Sequence, residues 1–316
     1  MTISRQQEVK ATLYIMLLQK REENAITLAA TANNGRIIEE PIPGDIVSPK
    51  GKLIYIIALV IGIGIPISII YLLNLLRFRI EGHTDVEKLT TVPIIGDIPL
   101  TDAGKNGTPT IAVRENDNNI MAETFRSLRT NLLFIMGDPD KKVILVTSTI
   151  SGEGKTFMAS NLAVSLALLG KKVILVGLDI RKPGLNKIFH LSHKEKGITQ
   201  YLAAPQSTDL HALIQPSGIT SNLDLLLGGP IPPNPTELLA RQSLEDTIST
   251  LRKEYDYIVL DTAPIGMVTD TLILSRVADA SIYVCRADYT HKTDYQLINA
   301  VSYTHLRAHE TEADLV

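Results

Sequence analysis

The chain has almost no cysteine and almost no excess of either charge. Cys285 is its single cysteine in 316 residues, so no disulfide framework holds the fold together. It sits in the apolar run Ser281-Ile282-Tyr283-Val284-Cys285, the setting of a buried strand residue rather than a nucleophile or ligand. Lysine and arginine number 31 against 34 aspartates and glutamates, a formal net charge of −3, which gives no electrostatic basis for binding nucleic acid. No internal repeat runs through the sequence. The length leaves room for one full domain with smaller attachments.

What is present begins with an apolar run. Leu53 to Leu76 contains no charged residue and is bracketed by Lys50 and Lys52 on one side and Arg77 and Arg79 on the other. A helix of this length exceeds the roughly 30 Å hydrocarbon core, so residues 53–76 are expected to form one transmembrane helix. Gly62, Gly64 and Pro66 are tolerated in such a helix, with a possible kink. Fifty residues precede the run, which is not the pattern of a signal peptide.

Before the span, residues 5–24 show a helical period with Val9, Leu13, Met16 and Leu17 on one stripe. Ala25 to Ala30 and Arg36 to Glu39 read as short strands on either side of the Asn33-Asn34-Gly35 turn, an α+β piece over residues 1–52. Residues 77–118 read as a polar linker with one apolar piece, Val92 to Leu100. From Asn119 strands and helices alternate. Helices are expected at 121–134, 155–169, 243–253 and 270–277, and strands at 142–147, 172–178, 223–227, 257–260 and 281–285. This rhythm predicts an α/β domain over 119–300, a P-loop NTPase-type parallel sheet flanked by helices. Residues 301–316 do not continue it.

Ser151-Gly152-Glu153-Gly154-Lys155-Thr156 follows the apolar strand Val143-Ile144-Leu145-Val146 and opens the helix that contains Ala159-Ser160-Asn161-Leu162. A strand, a glycine turn and a helix N-terminus form a phosphate-binding loop. The glycines let backbone N–H groups approach phosphate, Lys155 reaches the β- and γ-oxygens, and Thr156 is placed to hold Mg²⁺. Ser151, Gly152, Glu153, Gly154, Lys155, Thr156 and Phe157 are therefore the expected nucleotide contacts. Tyr257-Ile258-Val259-Leu260-Asp261 ends a second strand in a carboxylate suited to Mg²⁺. A third strand, from Val173, ends in Gly177-Leu178-Asp179-Ile180-Arg181-Lys182. Asp179 is a candidate for the metal shell or for orienting the attacking group, and Arg181 for phosphate oxygens. Taken alone, these residues also read as a turn cap and a charged strand exit.

These segments resemble those of the bacterial tyrosine kinases (BY-kinases) of the polysaccharide co-polymerase type, over roughly residues 5–300. Thr147 to Thr156 is similar to their Walker A, Leu178 to Pro183 to their Walker A′, and Tyr257 to Pro264 to their Walker B. Asp85-Val86-Glu87-Lys88-Leu89 and Pro233-Asn234-Pro235-Thr236-Glu237 also match. The resemblance implies a membrane-anchored protein-tyrosine autokinase that uses ATP and Mg²⁺, regulating polymerisation and export of a capsular or extracellular polysaccharide. Lys155, Asp179 and Asp261 would be catalytic, with Thr156, Asp179 and Asp261 at the metal. Glu123, Arg126 and Arg129 match a motif implied to assemble a homo-oligomeric ring, and their spacing puts them on one arc of a helix. Membrane lipid, the polysaccharide polymerase and export machinery, and a tyrosine phosphatase are the implied partners. The implied location is the bacterial inner membrane, with the kinase domain cytoplasmic.

The sequence also departs from that pattern. Gly177 stands where the family's Walker A′ carries its first aspartate, and no tyrosine cluster closes the chain. Ile150 stands where partition-type ATPases carry a signature lysine, which argues against that sister group. An alternative expectation is therefore a structural co-polymerase whose ATP site drives ring assembly with little kinase activity. An external N-terminus with no earlier apolar span, and a tail without resemblance to the family, together suggest a fragment truncated at both ends.

Overall fold

The computed structural model describes residues 2–31, 44, 51–75, 78–100, 111–115, 119–191, 196–267 and 269–299. They fall into two compact units, within residues 1–72 and 73–316. The expected strand over 36–39 with its turn, Leu76, and residues 301–316 with Tyr303 lie outside the described residues.

Helix α1 (Thr2–Ala30) is longer than the sequence period suggested. Ala25 to Ala30, expected as a strand, is its C-terminal part. Three alanines there favour helix, and the Thr27 hydroxyl bonds back to the Glu23 carbonyl while Thr31 bonds to Thr27 at 2.8 Å. Helix α2 (Gly51–Leu75) covers the apolar run from Leu53, and its 22 residues Gly51–Leu72 are long and apolar enough to cross a membrane. Their side chains are all exposed.

In the second unit, residues 78–100 pack onto the α/β domain. Ile80 is buried in a small cluster with Val86, Tyr295 and Ile298. Its N–H donates to the Thr290 carbonyl at 2.9 Å, and helix α3 (His83–Leu89) follows. Helix α4 (Ile120–Met136) is capped by the Asn119 side chain at 2.7 Å and stopped by Gly137 in the left-handed conformation. After it come β1 (Val143–Ser148), α5 (Lys155–Ala167), β2 (Val173–Gly177), α6 (Leu185–Ile188), α7 (Ile198–Ala203), β3 (Ile214–Pro216) and β4 (Leu223–Leu226). The chain continues through α8 (Pro235–Leu239), α9 (Gln242–Glu254), β5 (Tyr257–Asp261), α10 (Asp270–Leu274), β6 (Ala280–Val284) and α11 (Lys292–Tyr295).

One sheet holds the strands in the order β3-β4-β2-β5-β1-β6, parallel except for the edge pair β3–β4. β1 and β2 are buried along their whole length, as continuous apolar runs in a sheet covered on both faces must be. One core lies around Phe125, Leu162 and Leu175, the other around Ile174, Ile248 and Leu260. β5 sits between β1 and β2, in a register that sets Asp261 beside both Val146 and Gly177. The three strand ends expected to carry chemistry therefore meet at one edge of the sheet, where open α/β sheets hold ligands.

Candidate nucleotide-binding site

The loop between β1 and α5 turns on Gly152 and Gly154, both at positive φ (96° and 101°). No L side chain adopts those angles without strain, which explains the two glycines physically. Lys155 opens α5, so the unpaired N–H groups and the positive end of the helix face the same space as the loop. Glu153 is 5% exposed and folds back inside the loop, where its carboxylate accepts from the Ile150 N–H at 2.7 Å. Gly184 backs Thr156 so closely that a Cβ there would stand 3.1 Å from the Thr156 hydroxyl. The Phe157 ring turns to the Phe125 ring, with centroids 6.0 Å apart, and takes part in packing α5 on α4.

Lys155, Asp179 and Asp261 come together. The Lys155 ammonium lies 3.8 Å from Asp179 Oδ2, with both side chains at most 10% exposed. Asp179 is held from behind by the Lys182 N–H at 3.0 Å, and its own N–H donates to the Asp261 carbonyl at 2.9 Å. Asp261 is 1% exposed, and its Oδ1 has no hydrogen-bond partner. Burial pushes its carboxyl up from the usual 3.8 to about 7; Lys155 pulls against that rise, Asp179 adds to it, and a hydrogen bond with Thr156 opposes it. A buried carboxylate oxygen without a partner, beside a second acid and a threonine, is a donor set that suits a hard divalent cation. Magnesium fits these residues, with Thr156, Asp179 and Asp261 as its candidate holders.

Arg181 is placed differently from the sequence expectation. Its guanidinium grips Asp270, with Nε to Oδ2 at 2.7 Å and NH2 to Oδ1 at 3.1 Å, and it also donates to the Thr236 hydroxyl at 2.8 Å. Thr236 in turn donates to Asp270 at 2.7 Å. This triad clamps the Walker A′-like segment to α8 and α10. Asp270, buried at 1%, was missed in the sequence because nothing about a lone aspartate opening a short apolar helix marks it. Gly177 is equally constrained: a Cβ there would meet Leu185 Cδ1 at 3.0 Å and the Gly228 nitrogen at 3.1 Å. Gly177 thus lets β2 pack closely against the Gly228 turn, at the position where the resemblance leads us to expect an aspartate.

On α4, Arg126 pairs with Glu123, and Arg129 donates inward to the Ser165 carbonyl at 2.6 Å. Burial lowers the Arg129 pKa, with Arg126 contributing to the fall. Of the three, Glu123 presents the most exposed side chain that the ion pairs involve, at 63%, with Arg126 at 34%.

A family model described as "AAA domain" matches residues 141–311, and one described as "G-rich domain on putative tyrosine kinase" matches residues 1–75. The tyrosine-protein kinase wzc of Salmonella typhi is 29% identical over 299 residues, covering 90% of this chain and 41% of its own length. The kinase domain of the Escherichia coli tyrosine kinase ETK superposes with a TM-score of 0.61 at 26% identity, over 69% of this chain and 88% of that one. The chimerical protein CapA2B2 gives a TM-score of 0.63 at 30% identity, over 71% of this chain and 94% of that one. The chain spans about two-fifths of the length of the curated relatives it matches.

Proposed function

Because the chain belongs to the bacterial tyrosine-kinase family of capsule and exopolysaccharide systems, we propose that it is an ATP-dependent protein-tyrosine autokinase anchored in the bacterial inner membrane. Its kinase domain would face the cytoplasm, and it would regulate polysaccharide polymerisation and export. The observation that carries this reading is the buried Asp261 oxygen without a partner, at the strand edge where Lys155 and Asp179 converge on a glycine loop. ATP would lie with its phosphates on the Gly152–Thr156 backbone and the N-terminus of α5.

When bound, Mg²⁺ supplies charge neutralisation on the phosphate oxygens. Thr156 and Asp261 would hold it, with Asp179 at its edge. Lys155 would spread its charge over the β- and γ-oxygens as negative charge shifts toward the leaving ADP oxygen. An incoming tyrosine hydroxyl would pass its proton to Asp179, which Lys155 and the Lys182 amide fix in place. Most of the acceleration would come from positioning and charge stabilisation. Arg181 would act through the Asp270 clamp by fixing the segment that carries Asp179.

The proposed assembly is a homo-oligomeric ring using Glu123, Arg126 and Arg129, with Arg129 tying α4 to α5 in each subunit. Lipid around α2, a polymerase and export apparatus, and a tyrosine phosphatase complete the proposed partners. The second reading, a co-polymerase whose ATP site drives ring assembly with little phosphoryl transfer, is favoured by Gly177. An assay on the full chain in detergent separates the two. With a tyrosine-bearing tail fused to the chain as acceptor, incubation with ATP and Mg²⁺ should give phosphotyrosine in the wild type and none in Lys155→Met. Signal that survives Lys155→Met would remove the activity from this loop. Assembly that responds to ATP without phosphotyrosine would favour the second reading.

A further inference from the structure

The segment after β6 takes hold of the phosphate loop at three consecutive residues. Thr290, wholly buried, donates its hydroxyl to the Glu153 carboxylate and accepts from the Arg286 N–H at 2.9 Å. Tyr289 donates its hydroxyl to the Ser151 carbonyl at 2.9 Å. Arg286 reaches the Gly152 carbonyl at 3.3 Å and lies over the Tyr289 ring, 5.5 Å from its centroid. Asp288 between them has φ 58°, a left-handed backbone that aspartate tolerates better than most non-glycine residues and that its surroundings can fix. They do so here: the Asp288 N–H donates to the Ile80 carbonyl at 2.8 Å, and Arg79 donates to the Asp288 carbonyl at 2.8 Å.

We infer that Arg286–Thr290 is a latch that presets the phosphate loop, with Thr290 and Tyr289 as positioning residues for ATP. The Ser151 and Gly152 carbonyls and the Glu153 carboxylate all accept hydrogen bonds from this segment, which ties the loop at three successive residues. Glu153 joins both parts of the device, because its other oxygen holds the Ile150 N–H. A loop already held in its binding shape loses less conformational freedom when phosphate arrives. The hydrogen bonds of the latch go to Ser151, Gly152 and Glu153 and none to Lys155, Asp179 or Asp261, so it acts on affinity and not on the transfer step. Tyr289 is 38% exposed, so its hydroxyl can be removed without opening the core.

The inference rests on the ATP reading above, and the test separates the two. Titration of Mg·ADP into the full chain in detergent, by calorimetry, should show Thr290→Val binding roughly tenfold more weakly, as loss of a hydrogen bond to a charged group implies. Tyr289→Phe should weaken binding about threefold by the same reasoning for a neutral bond. Thr290→Ser, which restores the hydroxyl, should return to within about twofold of wild type. In phosphotyrosine kinetics the Thr290→Val change should appear in KM for ATP, with kcat unchanged. Binding by both Thr290→Val and Tyr289→Phe within twofold of wild type would overturn the latch while leaving the nucleotide site intact. Failure of the wild type itself to bind Mg·ADP would overturn the ATP reading, and the latch with it.

Discussion

The Lys155 ammonium and the Asp179 carboxylate lie 3.8 Å apart in a pocket that leaves neither side chain more than 10% exposed. The distance is long for an ion pair, and both groups face the space that the loop leaves for phosphate. Removing the acid should therefore affect chemistry more than binding. Asp179→Asn keeps the acceptor for the Lys182 N–H and removes the negative charge. The expected result is at least a tenfold loss of phosphotyrosine formation, with Mg·ATP affinity weakened by a smaller factor because Thr156 and Asp261 still hold the cation, as read by single-turnover kinetics and calorimetry on the same preparation.

Asp261 makes the nucleotide-free chain sensitive to pH. Its carboxyl is raised from 3.8 to about 7 by burial. Between about pH 4 and pH 7 the folded chain thus keeps a proton that the unfolded chain has released, and stability falls as pH rises through that window. Above about pH 7 the fall ends, because both states are ionised. Melting temperatures at pH 4.5 to 7.5 should decline less steeply for Asp261→Asn than for wild type. Parallel curves would contradict the burial argument.

The Arg181–Asp270 clamp should be structural in its energetics and catalytic in its effect. Asp270→Ala leaves the guanidinium without its two carboxylate bonds and Thr236 without its acceptor. Because the arginine is 38% exposed, water replaces part of what is lost. A cost of about 1–3 kcal/mol is expected in denaturant titration, with turnover reduced and Asp270→Asn intermediate.

Restoring the family's carboxylate at position 177 should not restore vigour. A Cβ there already meets Leu185 and the Gly228 backbone, so Gly177→Asp must push apart β2 and the Gly228 turn. A destabilisation of about 1–3 kcal/mol, with no gain in phosphotyrosine, is the expected outcome. A rise in activity would mean that Gly177 limits catalysis by its missing charge alone.

The sheet was largely legible in the sequence, because β1, β2 and β5 are uninterrupted apolar runs closed by polar turns. Their order was not, since adjacency is set by packing that no local pattern encodes. β3 was missed because three residues ending in Pro216 show no alternation, and it survives only as an antiparallel edge on β4. Ala25 to Ala30 was misread because Thr27 and Ile26 suggest strand, whereas the hydroxyl bonds back into the helix. Lys155, Asp179 and Asp261 were readable because each ends or follows a buried strand. Asp270, Tyr289 and Thr290 were not, because a single polar residue at a helix start or on a turn gains meaning only from what lies across from it.

The central claim is that Mg·ATP sits on the Gly152–Thr156 loop, gripped by Lys155 and the two acids. Calorimetry of the full chain in detergent tests it most directly. The account predicts saturable one-to-one uptake of ATP that requires Mg²⁺ and is lost in Lys155→Ala. Absence of uptake by the wild type, or equal uptake by Lys155→Ala, would contradict it.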